Sequence, residues 1–149
     1  MGPMLRDPSL IPLSHQHHNG LTLCVMTRRS LAADSSEANV VKLARRAIGR
    51  YELEMVNHFE VEERVLFPAC GPLPLIADLL REHRAMEKLV AQLRVAPTAA
   101  LLEECFALLS GHIRREENEL FEHIQRLLPR DELLRAGREI DRCAVRFCL

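Results

Sequence analysis

Apolar residues recur at helical spacing along most of the chain, and short polar or proline-containing stretches interrupt them. This pattern predicts four long helices at about residues 14–33, 37–66, 75–95 and 99–128, with a short amphipathic helix at about 131–145. No stretch alternates with period two over a useful length, so we expect no β-sheet. Long apolar-striped helices with short connections predict an all-α fold, namely an antiparallel up-down-up-down four-helix bundle with a short extra C-terminal helix.

Residues that favour helix ends stand near these boundaries. Ser14, Ser36 and Thr98 each precede a predicted helix, and a side-chain oxygen at that position accepts a backbone N–H of the first turn. Pro68 is expected to end the second helix, because a proline inside a helix removes a hydrogen bond and clashes with the preceding turn. Pro129 is expected to end the fourth helix in the same way.

The composition is that of a soluble globular protein. The chain has 149 residues, of which 48% are hydrophobic and 28% charged, and its formal net charge is −1. We therefore expect one domain at residues 10–145 after an irregular lead-in at residues 1–9. No basic surface for nucleic acid is indicated, no basic amphipathic face suggests membrane binding, and no apolar run approaches the roughly 20 residues that span a bilayer.

Cysteine usage indicates a reducing compartment. The five cysteines are an odd number and include no Cys-x-x-Cys pair, and the N-terminus lacks the uninterrupted apolar stretch of a secretion signal. We expect reduced thiols in a cytoplasmic protein. Two of them, Cys24 and Cys105, fall at apolar helical positions and are expected in the core, and the others are Cys70, Cys143 and Cys148.

A repeated pair of polar residues interrupts two of the apolar stripes. His58 and Glu62 are four residues apart and therefore share one face of the second helix. His112 and Glu116 repeat this spacing in the fourth helix, displaced by 54 positions. An imidazole and a carboxylate on an apolar face cost free energy to bury unless something satisfies both. Two such pairs in register indicate a functional site.

Each predicted long helix also carries a histidine at or beside a core-facing position. Alternate helices run in opposite directions in an up-down bundle, so these histidines can meet at one depth. They are His17 and His18, His58, His83 and His112, in helix order.

A metal ion would satisfy several converging imidazoles and carboxylates together. Nitrogen and oxygen ligands without thiolate suit iron, manganese, zinc or copper. Six or more ligands exceed the four of a structural zinc site, so two ions bridged by the two glutamates fit better, with iron favoured over manganese and zinc. The chain has no Glu-x-x-His sequence, which argues against the ferritin-like di-iron class.

The runs HFEVEERVLFP and HIRREENELFE, with Glu82-His83 and an N-terminal HQHH, resemble the hemerythrin-like, HHE cation-binding domains. The resemblance covers about residues 10–130. It implies a four-helix bundle with a non-haem di-iron centre, an oxo or hydroxo bridge, and two carboxylates spanning both irons. The implied function is to bind or sense dioxygen or a related small oxidant. The alternatives are an iron-dependent redox enzyme acting on peroxide or nitric oxide, and a structural bundle with zinc or no metal.

Carried over by position, the resemblance implies a metal ligand on every long helix. The ligand on the first helix is open, because the acidic residue that often precedes this histidine in the family favours His17 after Gln16, whereas the apolar spacing favours His18. Glu117 is an alternative to Glu116. The implied ligands are His17 or His18, His58, Glu62, His83, His112 and Glu116.

One position departs from the family pattern. Oxygen-carrying hemerythrins have two histidines four residues apart on the third helix, but Leu79 stands one turn before His83. One iron would then lack a ligand, or would take it from Glu54 or from the spare N-terminal histidine. This departure weakens the case for reversible oxygen carriage and leaves room for redox chemistry or sensing.

Overall fold

The structure is a computed structural model that describes residues 5–146, and within that range the chain is all-helical with no strand. This confirms the all-α part of the predicted fold. Cys148 and the first four residues of the predicted lead-in lie outside the described residues. None of the helices in the described range is long and apolar enough to cross a membrane. The helices are α1 (Ile11–Ala33), α2 (37–70), α3 (Pro74–Val95), α4 (99–127) and α5 (Arg130–Cys143), and a 3₁₀ turn (Pro8–Leu10) precedes α1.

Two of the predicted helix caps are present. The Ser36 hydroxyl accepts the backbone N–H of Asn39 at 3.3 Å and begins α2. The Thr98 hydroxyl accepts the backbone N–H of Leu101 at 3.1 Å and begins α4. Each cap satisfies one of the first-turn N–H groups that have no partner within the helix.

The predicted cap at Ser14 is wrong. Helical structure begins earlier, in the 3₁₀ turn, where the Asp7 carboxylate accepts the backbone N–H of Ser9 at 2.9 Å. Pro12 lies in the first turn of α1, where a residue without an N–H is tolerated. Ser14 is therefore inside α1, and its hydroxyl donates to Glu117 Oε2 at 2.7 Å.

The prediction that Pro68 ends the second helix is also wrong, because α2 continues to Cys70. A π turn, Glu62–Leu66, precedes the proline, and the Phe67 N–H bonds to the Glu62 carbonyl five residues back. Pro68 then lies in the first turn of a new α-helical segment, which tolerates its fixed φ and its missing donor.

Each of α1 and α3 packs against both α2 and α4, while α5 covers the 3₁₀ turn and part of α2. The buried apolar side chains form two clusters. The first cluster includes Cys24, Leu43, Leu93 and Phe106. The second includes Leu13, Leu66, Leu79, Phe121 and Ile140.

A buried polar layer separates the two clusters. Along every one of the four long helices, residues of one cluster precede a buried polar position and residues of the other follow it. The layer is therefore at one depth in all four helices. The changeover occurs at His17 in α1, at His58 and Glu62 in α2, at His83 in α3, and at His112 and Glu116 in α4.

Candidate metal centre

The polar layer brings four histidines and two glutamates together, none of them more than 2% exposed. They form two groups in which the potential ligand atoms all lie within 4.8 Å of one another. Both groups contain both glutamates. The groups are His17, His58, Glu62 and Glu116, and Glu62, His83, His112 and Glu116.

In the first group the two imidazoles face each other. His17 Nε2 lies 3.0 Å from His58 Nε2 and 3.0 Å from Glu116 Oε1. His58 Nε2 also lies 3.3 Å from Glu62 Oε2. Two ring nitrogens and two carboxylate oxygens thus converge from α1, α2 and α4 on a volume that one ion could fill.

The second group has the same composition. His83 Nε2 lies 3.0 Å from Glu62 Oε1, and His112 Nε2 lies 3.2 Å from Glu116 Oε1. The rings come from α3 and α4. Glu62 and Glu116 belong to both groups, so each of these two carboxylates lies between the two neighbouring positions where an ion could bind.

Several inner atoms have no hydrogen-bond partner among the described residues, although they are fully buried. These are Glu62 Oε2, His112 Nε2 and Glu116 Oε2. The 3.2 Å approach of His112 Nε2 to Glu116 lacks hydrogen-bond geometry. A buried polar atom left without a partner costs about 1–3 kcal/mol, and a cation in each group would remove that cost. The nitrogen and oxygen donors fit iron, manganese or zinc.

An oxygen atom from another helix fixes the outer nitrogen of every ring. An imidazole whose Nδ1–H is donated outward keeps its Nε2 lone pair for a metal, and such partners orient and tune metal-binding histidines. The Nδ1 contacts are His17 with Glu117 (2.6 Å), His58 with Gln16 (2.8 Å), His83 with Glu63 (2.8 Å) and His112 with Glu82 (2.9 Å).

These contacts reveal an approximate two-fold correspondence within the site. In α2, Glu62 enters both groups and the next residue, Glu63, holds the ring of α3. In α4, Glu116 enters both groups and the next residue, Glu117, holds the ring of α1. The repeat seen in the sequence therefore extends to the outer contacts.

The same correspondence relates α1 to α3. Glu82 holds the α4 ring, and the next residue, His83, enters the second group. Gln16 holds the α2 ring, and the next residue, His17, enters the first group. Position for position, Gln16 corresponds to Glu82, with an amide in place of a carboxylate.

Both shared glutamates begin a π turn. Glu62–Leu66 and Glu116–Leu120 each have i→i+5 hydrogen bonding inside an otherwise α-helical segment. Such turns are rare and occur frequently at functional sites. A third π turn, Tyr51–Met55, precedes His58 and has no counterpart in α4. The apolar spacing did not predict any of the three.

The buried charges of the site depend on one another. Burial by itself lowers the pKa of His58, but Glu62 and Glu116 outweigh it and raise that pKa to about 9. Burial likewise lowers the pKa of His112, and the same carboxylates raise it to about 11. Burial raises the pKa of Glu62, yet the nearby His58 holds it well below its ordinary value. Two anionic carboxylates thus face the positions where a cation would bind.

The other predicted candidates lie outside the two groups. His18 is exposed on α1. Glu54 is buried, but its carboxylate accepts hydrogen bonds from Asn19 at 2.9 Å and Arg50 at 3.1 Å. Leu79 is fully buried in the second cluster. Each group therefore has two histidines, and neither has received a replacement ligand from these positions.

Sequence reasoning missed the outer partners Glu63 and Glu82 and the role of Gln16. A signal was present, because every outer partner is the direct neighbour in sequence of a residue in the groups. On a helix, adjacent positions are separated by about 100°. A neighbour of an inward-facing ligand can therefore reach the ring of the adjacent helix from the side.

Comparison with known proteins agrees with this geometry. No curated protein and no solved structure matches the chain. The family model described as the hemerythrin HHE cation binding domain matches residues 10–124, which include all members of both groups. The chain therefore belongs to the hemerythrin HHE cation-binding domain family.

Proposed function

We propose that this chain is a non-haem di-iron protein that binds or senses dioxygen or a related small oxidant in the polar layer. The supporting observation is that two groups of potential ligands share both buried carboxylates. A carboxylate has two oxygens and can therefore connect two adjacent ions. The proposed ligands are His17, His58, Glu62, His83, His112 and Glu116.

The choice of iron follows from the donor set and the proposed ligand. Imidazole and carboxylate donors also suit manganese and zinc. Zinc has no redox chemistry, whereas activation or reversible capture of an oxidant needs a metal that can change its oxidation state. Iron in a site of histidines and carboxylates with open positions is the usual partner of dioxygen.

The surroundings of the site favour a small ligand of low polarity. The Phe59 ring stacks on His83 with ring centroids 4.0 Å apart, and the Phe121 ring stacks on His17 at 5.3 Å. These rings exclude bulk water from the histidines. The packing of α1 and α3 each against α2 and α4 supports the antiparallel up-down-up-down bundle that we propose as the frame of the site.

An enzyme acting on peroxide or nitric oxide is the second candidate. Leu79 occupies the place of a second histidine on α3, so neither group has more than two imidazoles. Two histidines and two shared carboxylates leave coordination positions open at each proposed ion, which suits turnover. Multiple turnover of peroxide or nitric oxide would support this candidate, and stoichiometric, reversible oxygen binding would count against it.

Metal analysis combined with an optical spectrum tests the proposal. Protein expressed in iron-replete medium should contain about two irons per chain and should show a near-ultraviolet oxo-iron charge-transfer band in air. The variants His58→Ala and His112→Ala should lose iron and the band, while the exposed His18→Ala should keep both. Absence of iron and of the band after reconstitution overturns the proposal. Unchanged metal content and fold in both site variants would favour a structural bundle.

A further inference from the structure

One contact breaks the two-fold correspondence of the site. A carboxylate accepts the Nδ1–H of three of the four ring systems in the two groups, whereas His58 donates to the amide oxygen of Gln16 at 2.8 Å. The three carboxylates belong to Glu63, Glu82 and Glu117.

The three carboxylates and the Gln16 amide also differ in exposure and in charge pairing. The carboxylates reach the surface, with side chains 30%, 14% and 27% exposed for Glu63, Glu82 and Glu117, whereas Gln16 is completely buried. Each carboxylate forms an ion pair with an arginine, and no ion pair is available to a neutral amide. A carboxylate at position 16 would be a buried anion without a surface cation, which is costly. The paired arginines are Arg84, Arg115 and Arg6, respectively.

Hydrogen bonds set the orientation of the Gln16 amide. Its Nε2 donates to Asn57 Oδ1 at 3.0 Å and to the Val145 carbonyl at 3.0 Å. Both are acceptors, so the nitrogen must face them and the oxygen must face His58. Asn57 is itself held, because it accepts the Val145 N–H at 2.9 Å and donates to the Cys143 carbonyl at 2.9 Å. The end of α5 thus fixes the partner of a ligand on α2.

The acceptor at Nδ1 changes what Nε2 can donate to a metal. A carboxylate forms a charge-assisted hydrogen bond, draws the Nδ1 proton towards it and makes Nε2 more basic. A neutral amide oxygen has a weaker effect. We propose that Gln16 is a positioning residue that makes His58 the weakest donor of the four imidazoles, so that the position held by His17 and His58 takes up its ion second and releases it first. This inference depends on the proposed metal site.

Zinc titration of the metal-free protein tests the order of filling without any need for iron or oxygen. With histidine labelled by ¹⁵N, the Nε2 resonance of each ring reports whether that ring binds the ion. At one equivalent of Zn²⁺ we expect the signals of His83 and His112 to show the bound form, and those of His17 and His58 only at two equivalents. First filling of the His17 and His58 position, or equal filling of both, overturns the inference. No zinc binding at all would instead contradict the metal site itself.

An exchange of the outer partners gives the matched comparison. Glu82→Gln places an amide behind His112, as Gln16 does behind His58. It should weaken ion binding between His83 and His112 about 10- to 100-fold. The difference in zinc affinity between the two ion positions should then shrink or vanish. The exposed Glu104→Gln should keep the original order. An unchanged affinity ratio in Glu82→Gln would show that the outer partner serves only to hold the fold. Gln16→Glu should strengthen ion binding between His17 and His58 if the variant folds. If it does not fold, Glu82→Gln alone tests whether the outer partner sets the order of filling.

Discussion

The two apolar clusters on either side of the polar layer differ in how tightly their side chains are packed. The first cluster surrounds an apolar cavity of about 30 Å³, whose lining includes Tyr51, Met86 and Cys105. The second cluster is covered by α5, which lies so close to the 3₁₀ turn that a Cβ on Gly137 would approach Ser9 Cα to 2.9 Å. One side of the site therefore has free volume and flexible side chains, while the other is tightly packed.

This difference shows where the fold can adapt. Methionine fills irregular space and repacks easily, and Met55 and Met86 both line the cavity. Tyr51 lines it too and contacts the Phe59 ring, which stacks on His83. Two aromatic rings thus lie between the free volume and the polar layer. Changes of packing should be tolerated there and resisted beneath α5.

The largest effect is expected where α5 meets the second cluster. Ile140 is fully buried, and Ile140→Ala should lower the free energy of unfolding by about 2–5 kcal/mol, because it removes buried methylenes and leaves a cavity. Urea denaturation followed by circular dichroism measures this value. Leu127→Ala, at a residue that is 68% exposed, is the control and should change stability by less than about 0.5 kcal/mol. A similar small change for both variants would show that α5 contributes little.

Adding a single methyl group tests the tight contact itself. Gly137→Ala should destabilise the protein by about 1–3 kcal/mol, since the new Cβ meets the backbone of Ser9. Gly49→Ala is the matched control inside α2, where the added Cβ meets nothing within 4 Å beyond its own stretch of helix. It should stabilise the protein by about 0.5–1 kcal/mol through helix propensity. Thermal melts of the two variants measure both changes in stability. A Gly137→Ala protein as stable as the unsubstituted protein would contradict the close packing.

The cavity side should accept added volume. Cys105 is buried and lines the cavity, so Cys105→Val should change the free energy of unfolding by less than about 1 kcal/mol. The substitution also removes a thiol whose pKa is raised to about 11, first by burial and then by the nearby Glu104. Equilibrium denaturation gives the stability. A loss as large as that of Gly137→Ala would remove the distinction between the two clusters.

The smallest effect concerns the charge that joins the 3₁₀ turn to α5. Burial alone raises the pKa of Asp7, but the Ser9 N–H and Arg130 outweigh it and lower the pKa below its ordinary value. The resulting stabilisation is present at neutral pH and is lost as pH falls below about 4. Asp7→Asn keeps the cap but loses the ion pair, which should cost less than about 1 kcal/mol.

Denaturation at pH 7 and pH 3 provides the measurement for Asp7→Asn. The difference from the unsubstituted protein should be present at pH 7 and smaller at pH 3, because protonation of Asp7 at low pH removes the charge that asparagine lacks. A difference that grows on acidification would assign the opposite sign to the interaction.

The sequence was sufficient for the elements that depend on local chemistry or on spacing. The caps at Ser36 and Thr98 follow from a side-chain oxygen at a helix start. The all-helical fold follows from apolar periodicity. His58 and His112 meet because a shared face and a shared depth are properties of spacing alone, which the chain displays twice.

The choice between neighbouring positions needed the structure. Residues one position apart point about 100° away from each other on a helix, so His17 enters the first group while His18 is exposed. The run HQHH contains histidines at adjacent positions, and the apolar spacing favoured His18, which the packing of α1 leaves exposed. The role of Gln16 was hidden for a related reason, since its partner Val145 is distant in sequence.

The sequence pattern also could not predict where the helices change from α to π hydrogen bonding. A π turn differs from an α turn by one residue, and a stripe of apolar side chains does not record that difference. For this reason the continuation of α2 past Pro68 was not predicted.

The π turns that begin at Glu62 and Glu116 have a consequence for insertions and deletions. Each i→i+5 turn holds one residue more than an α turn, so the deletion of one residue would give an α turn that leaves the remainder of the helix in register, whereas the insertion of one residue would rotate the remainder by about 100°. Phe67, which stacks on His83 at 5.7 Å, and Phe121, which stacks on His17 at 5.3 Å, both follow such a turn. After an insertion each ring would rotate away from its histidine while the glutamate stayed in place, whereas after a single deletion each ring would keep its contact. Chain length within these two turns, and not residue identity alone, therefore determines whether an aromatic ring covers each half of the polar layer.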